Sequence, residues 1–229
     1  MHSDCRFTIA EPCRPYLCRM KLNTALPLGA LFLLAACHSE TSNGFTVDGT
    51  YKSAHGATVY LEETTFNSTN PVIVDSVKAD AKDHFELKGK RLEENLYLLR
   101  IAGANAPFAT LINDADHIQV AADPANQQRP FTVEGSPASR QLTANIDATN
   151  SHLSTLVAFA RQRDSLQRAG VADSLLGGLQ RQQAEAATAF KNYVRNYIRQ
   201  SKSATLAVFA LGNYQAYASN PMIGVDPFD

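Results

Sequence analysis

Apolar and polar residues alternate along the chain from Phe45 to Val133. The alternation falls into eight short segments that turn residues separate. The segments are Phe45 to Tyr51, Ala57 to Leu61, Val72 to Val77, Phe85 to Leu87, Leu96 to Ile101, Phe108 to Ile112, His117 to Ala121 and Phe131 to Val133. Alternation with regular turns predicts antiparallel β structure, with one face of each strand in the core. Eight short strands predict a β-sandwich or a partly open barrel.

The pattern changes at Ser136-Pro137. Serine at an N-cap followed by proline at the first helical position is typical of a helix start. Apolar residues then recur three and four positions apart, which predicts helices. Gly170 should end the first helix, Asp173 can cap the second, and a third should start near Ser203. The sequence therefore predicts an α+β protein, an antiparallel β unit followed by a helical hairpin or bundle.

Upstream of the first strand, Met20 to Cys37 has a basic residue, an apolar run and a closing Leu-Ala-Ala-Cys. The run is too short to span a bilayer, which needs about 20 apolar residues. The order predicts a bacterial lipoprotein signal peptide, cleaved between Ala36 and Cys37, with lipid on the Cys37 thiol. The alternative is a buried core helix. His38, next to the lipid site, is interpreted as a linker residue.

The patterns together predict six parts of the chain. The first, residues 1–19, is interpreted as an upstream extension, with translation starting at Met20. The alternative is a genuine tail whose cysteines 5, 13 and 18 bind metal or pair, although their spacing matches no zinc pattern. The parts are 1–19 extension, 20–36 signal peptide, 37–44 lipidated tether, 45–135 β domain, 136–217 helical region and 218–229 linker-like tail.

Charge and cysteine content argue against two classes of function, nucleic-acid binding and thiol exchange. The chain of 229 residues has a formal net charge of −1 and four cysteines, of which only Cys37 lies beyond the signal peptide. No basic patch appears, so nucleic acid is not an expected partner. Thiol exchange needs a free thiolate, and the processed chain has no Cys-x-x-Cys. We therefore expect no enzyme activity, no cofactor and no catalytic residue.

Candidate binding residues have structural alternatives that we prefer. Residues 113–116, Asn-Asp-Ala-Asp, could bind calcium, but they lack an EF-hand's ligand spacing and are interpreted as a hairpin turn. The acidic pairs Glu62-Glu63 and Glu93-Glu94 are interpreted as turn and surface residues, because neighbours on a strand face opposite sides. We expect no metal site, since the histidines beyond the signal share no ligand spacing: His38, His55, His84, His117 and His152. Aromatic residues of the sandwich could line a ligand groove or belong to the core.

Several pieces of the chain carry a family resemblance. They are the lipobox, Phe45 to Gly49, Ala57 to Leu61, Val74 to Ser76, Asp83 to Gly89 and Phe131 to Ser136. The chain resembles the N-terminal domain of unknown function of Bacteroidetes lipoproteins that carry a C-terminal thioredoxin-like domain. The resemblance implies an accessory role beside thiol chemistry. The sequence departs from it at His84, where the family often has glycine, and in lacking the redox domain's cysteines.

Two functions follow as hypotheses. The first is a lipid-anchored envelope protein whose β domain is a non-catalytic binding or accessory module, with the membrane and an envelope protein as partners. The second is the N-terminal part of a truncated thioredoxin-like oxidoreductase, which would dock a redox-domain partner. A reading frame encoding Cys-x-x-Cys beyond Asp229 would favour the second. Since no aspartate follows Cys37, the expected location is the outer membrane, facing the periplasm.

Overall fold

The computed structural model describes residues 43–64, 70–221 and 223–228. These residues lie within one compact unit, Glu40–Asp229. The elements are β1 Gly44–Tyr51, β2 Thr58–Thr64, β3 Val72–Lys78, β4 His84–Lys90, β5 Leu96–Ile101, β6 Ala109–Ile112, β7 His117–Ala122, β8 Phe131–Glu134, α1 Pro137–Arg168, α2 Asp173–Gln200 and α3 Ala204–Ala218. All eight predicted strands are present, and the α+β prediction is confirmed.

The strands form two four-stranded sheets. Their strand orders are β4-β1-β7-β8 and β3-β2-β5-β6, so β3 and β4 are edge strands of different sheets. The chain crosses from one sheet to the other at the β3–β4 turn, which brings these two edges side by side. The result is a sandwich that is partly closed on the β3–β4 side.

One pairing differs from the antiparallel expectation, because β1 and β7 run parallel. Thr46 lies opposite His117 and Tyr51 opposite Ala122. The chain visits the other sheet twice between these strands, so β7 re-enters at the end where β1 begins. Alternation within a strand reports which residues face the core, but it carries no information on the direction of the neighbouring strand. The remaining pairings are antiparallel.

The sandwich core depends on close contact between β1 and β4. Gly49 lies opposite Phe85, and Gly89 lies opposite Phe45. A Cβ atom on Gly49 would lie 2.4 Å from Phe85 Cζ, and one on Gly89 would lie 2.2 Å from Phe45 Cε1. Each phenylalanine ring therefore covers the glycine of the facing strand. Phe45 also meets Tyr97 edge to face, with ring centroids 4.9 Å apart.

The helices begin and end largely where the sequence predicts. Ser136 caps α1 by accepting from the Ser139 backbone N–H, and Ser203 caps α3 by accepting from the Leu206 N–H. Gly170, with φ +70°, follows the end of α1. The expectation that Asp173 caps α2 is wrong: Asp173 is the first helical residue, and its N-cap is Ala172, which makes no side-chain cap bond. No helix among the described residues is both long and apolar enough to cross a membrane.

The first and third helices pack against the sandwich through a small apolar cluster. Ile112 at the end of β6 is fully buried with Leu142 of α1 and Leu206 of α3. Polar contacts flank this cluster. The Ile112 backbone N–H donates to Ser139 Oγ at 2.8 Å, and Thr205 Oγ1 donates to the Glu94 carbonyl at 2.8 Å. The helices are thereby joined to β6 and to the β4–β5 turn.

The C-terminal segment packs against the helices, although its sequence is that of a linker. Ile223 and Val225 are buried in the helical core. The Tyr214 hydroxyl donates to the Asp226 carbonyl at 2.7 Å, and the Phe228 ring lies 4.4 Å from that of Tyr214. The apolar residues of this segment have no regular spacing, so periodicity alone gives no sign of the packing.

Candidate functional site

The residues on which the sequence predicts lipid attachment and signal cleavage are Ala36 and Cys37. Both lie outside the described residues, as do His38, the signal peptide and residues 1–19. The described chain begins at Asn43, at the end of the predicted tether. Its carbonyl accepts from the Arg91 backbone N–H at 2.8 Å, and Gly44 then pairs with Lys90. The chain therefore enters the fold beside the β4–β5 turn.

The carboxylates of the 113–116 turn have structural partners. Asp114 Oδ2 accepts from the Ala138 backbone N–H at 2.8 Å, at the first turn of α1, and Oδ1 accepts from the Ser136 hydroxyl. Asp116 pairs with Arg91. The turn assigned from the sequence therefore also fixes the start of α1 against the sandwich. In the described part of the chain, no group of three or more His, Cys, Asp or Glu side chains could hold a metal ion.

The acidic pair on β2 divides between the two faces of its sheet, as strand geometry requires. Glu62 is not a surface residue, because it is 4% exposed. Its carboxylate accepts from the Arg100 Nε–H, which is shared between Oε1 at 3.0 Å and Oε2 at 3.1 Å, and from Arg100 Nη2. The Arg100 guanidinium also lies 5.4 Å from the centre of the Tyr60 ring. Glu63 faces the other side and accepts from Asn95 Nδ2 at 2.7 Å. Both carboxylates are held by protein donors.

In the second acidic pair, Glu93-Glu94 on the β4–β5 turn, the two side chains also have different surroundings. Glu94 accepts from the Ser203 hydroxyl through its carboxylate and from Thr205 through its carbonyl. Glu93 is exposed, and its carbonyl accepts from Asn113 Nδ2 at 3.0 Å. Glu94 is thus part of the contact between the sandwich and α3.

His84 and His55 each lie beside an aspartate. His84 Nε2 lies 3.3 Å from Asp48 Oδ1, and His55 Nδ1 lies 3.5 Å from Asp83 Oδ1. Asp83 also accepts from the backbone N–H groups of His55 and Ser53, and these bonds lower the pKa of its carboxyl. Asp83, with φ +64°, thereby joins the β1–β2 and β3–β4 turns. In the β3–β4 turn, the residue with left-handed backbone geometry is Asp83. His84 can therefore be extended and begin β4.

A groove lies between the edge strands β3 and β4. It has a volume of about 570 Å³. Its apolar lining includes Val72, Ile73 and Val74 of β3 and Leu92 of the β4–β5 turn. The remaining lining residues come from β4, β2 and β5: Glu63, Lys88, Gly89, Lys90, Glu93, Asn95 and Tyr97.

Two titratable side chains that line the groove, Tyr97 and Lys88, have protein partners. The Tyr97 hydroxyl donates to the Lys90 carbonyl at 3.2 Å. Burial, assisted by the nearby charge of Glu63, raises the pKa of Tyr97 to about 12, so the hydroxyl stays protonated at neutral pH. Lys88 Nζ lies 3.1 Å from Glu86 Oε1. These groups favour binding of an apolar surface over acid–base chemistry.

Exposure of apolar side chains marks the mouth of the groove. Leu92 is 80% exposed, Val72 57% and Ile73 53%. Large exposed apolar patches on proteins are typical of interaction surfaces. Sequence reasoning missed this groove, although two signals were available. Val72 to Val74 are three consecutive apolar residues that break the alternation, and Leu92 is an apolar residue within a charged turn.

The family comparison agrees with this architecture. Residues 45–142 match the model of a family described as Domain of unknown function (DUF4369). The matched range runs from the first strand to the second turn of α1, and it includes the groove. The predicted resemblance to an N-terminal domain of unknown function is therefore confirmed for this part of the chain. No curated protein is significantly similar to the chain.

Proposed function

We propose that the mature chain is a lipid-anchored protein of the bacterial cell envelope and that its β-sandwich is a non-catalytic binding module. The groove between β3 and β4 is the observation that supports the binding role. Four exposed apolar residues line it, Val72, Ile73, Val74 and Leu92, while the lining residues Glu63, Lys88 and Tyr97 each contact another protein group. The anchor rests on the sequence from Met20 to Cys37, in which a basic residue, an apolar run and small residues precede one cysteine.

The anchor is tested by growing cells with a labelled fatty acid and isolating the protein. We expect label on the wild-type protein and none on Cys37→Ala, because the Cys37 thiol is the proposed acceptor. Ser39→Ala, within the predicted tether, is the matched control and should leave the label unchanged. Retention of label and of membrane association by Cys37→Ala would show that the anchor has been assigned to the wrong residue.

A non-catalytic role predicts that the protein has no disulfide-exchange activity. In the processed chain the sulfur of Cys37 would be a thioether to lipid, which does not ionise to the thiolate that disulfide exchange requires. We expect the purified lipidated protein to reduce insulin disulfides no faster than buffer and to show no thiol that reacts with a thiol reagent. Turnover by the pure protein, retained after Cys37→Ala, would contradict a non-catalytic function.

A further inference from the structure

The exposed apolar residues of the described chain are concentrated at one place. Six large apolar side chains are substantially exposed, and four of them line the groove: Val72, Ile73, Val74 and Leu92. The other two, Val208 and Leu211, lie on α3. Such a concentration at the rim of a groove is typical of a surface that contacts another apolar phase.

The described chain enters the fold beside this surface. Asn43 bonds to Arg91, which is the residue before Leu92, and Gly44 pairs with Lys90. Asn43 lies six positions after Cys37 in the sequence. A fully extended chain spans at most about 3.3–3.6 Å per residue, so this tether reaches no farther than about 20 Å. A lipid on Cys37 would therefore hold the mouth of the groove close to the bilayer surface.

We propose that this groove face docks onto the bilayer that carries the anchor, with Val72, Ile73 and Leu92 entering its interfacial layer. The proposal rests on the lipid anchor proposed above and adds an orientation to it. In this orientation the face of β3, β4 and the β4–β5 turn lies on the membrane. Docking buries apolar surface that water otherwise contacts.

The edge of β4 argues against a second strand as the occupant. An added strand needs outward-facing backbone groups that are still available. On β4 the Lys88 N–H already donates to Asp75 Oδ2 at 2.7 Å, and the Lys90 carbonyl accepts from Tyr97. At the other end of β4, the His84 N–H donates to Asp80 Oδ1 at 2.9 Å. A lipid surface needs none of these groups, because it contacts only the projecting apolar side chains.

The charges at the groove indicate which component of the bilayer is recognised. Lys88 and Lys90 line it together with Glu63 and Glu93, so positive and negative side chains balance. Attraction to anionic headgroups depends on an excess of basic residues and weakens with salt. We therefore expect docking through apolar contact, with little dependence on salt or on the fraction of anionic lipid.

The test uses residues 37–229, which contain the whole compact unit Glu40–Asp229 and have Cys37 as their one thiol. The thiol is coupled to a maleimide phospholipid in phosphatidylcholine vesicles with brominated acyl chains, which quench nearby tryptophan. The chain has no tryptophan, so Leu92→Trp gives a single reporter. Val208→Trp on α3, at a site that is 45% exposed, is the matched control for tryptophan's own affinity for interfaces.

We expect a blue shift and loss of emission for Leu92→Trp and neither for Val208→Trp, at low and at high salt. Adding Ile73→Asp to Leu92→Trp should restore the emission, since a carboxylate would have to leave water; Ile73 is 53% exposed, so the fold should tolerate it. Unquenched Leu92→Trp on vesicles with proven coupling would overturn the proposal. So would a blue shift without vesicles that grows with protein concentration, which would assign the groove to a second copy. Chemical coupling replaces the cellular anchor in this test. Absence of fatty-acid label in cells would therefore contradict the proposed anchor and not the proposed docking.

Discussion

Gly49 shows how a single missing side chain shapes the sandwich. The Phe85 ring is 1% exposed and lies over Gly49 on the facing strand. The same arrangement recurs between Gly89 and Phe45, where it forms part of the base of the groove. Neither glycine is needed for an unusual backbone angle. Each makes room for a ring across the strand pair, which is a requirement of packing and not of turn geometry.

Gly49→Ala should therefore destabilise the fold. The added Cβ would lie 2.4 Å from Phe85 Cζ, and the enclosed ring has little space in which to move. Overpacking of this kind costs about 1–3 kcal/mol, which for a domain of this size lowers Tm by several degrees. Gly177→Ala is the matched control, because no atom lies within 4 Å of its new Cβ in α2. That change should raise stability by about 0.5–1 kcal/mol. Thermal unfolding of both variants checks this, and a Gly49→Ala protein as stable as the wild type would contradict it.

Individual residues also show which roles a sequence can reveal. Ser136 and Ser203 were predicted as helix starts because capping depends on residues close in sequence. The roles of Asp114, Glu62 and Glu94 depend on Ala138, Arg100 and Ser203, which are distant in sequence. Local spacing can identify these carboxylates as turn or strand residues. It contains nothing about the partner that each one meets after folding.

At the scale of elements, α1 and α2 pack through a histidine. His152 of α1 stacks on Phe190 and lies beside Tyr193 of α2, with ring centroids 5.3 and 5.2 Å apart. Burial in this aromatic setting lowers the pKa of His152 below its ordinary value of 6.5. The packed helices thus favour the neutral imidazole.

The stability of the fold should therefore fall as pH drops below about 6.5. The unfolded chain takes up a proton at His152 near the ordinary pKa, and the folded chain does so only at lower pH. The contribution of His152 is complete above pH 6.5 and is lost as pH falls through the lowered pKa of the folded state. Urea unfolding between pH 8 and pH 5 measures this slope. His152→Phe, which keeps an aromatic ring without a titrating group, should flatten it, and an unchanged slope in that variant would contradict the assignment.

The strands and helices could be predicted from the sequence, but the direction of one strand pairing and the groove could not. Strand and helix positions depend on local periodicity, and all eight strands and three helices were predicted. The parallel pairing of β1 with β7 was not predicted, because alternation is the same for either direction. The groove was not predicted either, since it arises where edges of two sheets meet. The run Val72 to Val74 and the apolar Leu92 in a charged turn were its local signals.

At the scale of the whole molecule, the first described residue, Asn43, and the groove lie at the same end of the sandwich. Asn43, where the tether joins the fold, contacts the residue next to Leu92. The helical region contacts the sandwich through Ile112, Leu142 and Leu206, and α3 also bonds to Glu94 of the β4–β5 turn. In the proposed docking, the edges of β3 and β4 would lie on the membrane.

The central claim is that the mature protein begins at Cys37 and carries lipid there. The most direct measurement is the intact mass of protein extracted from membranes, followed by the mass of its N-terminal peptide. We predict a chain of residues 37–229, heavier than its sequence by the mass of attached acyl chains, with the added mass on Cys37 alone. A chain that retains residues before Cys37, or that begins at Cys37 with no added mass, would contradict the proposed anchor.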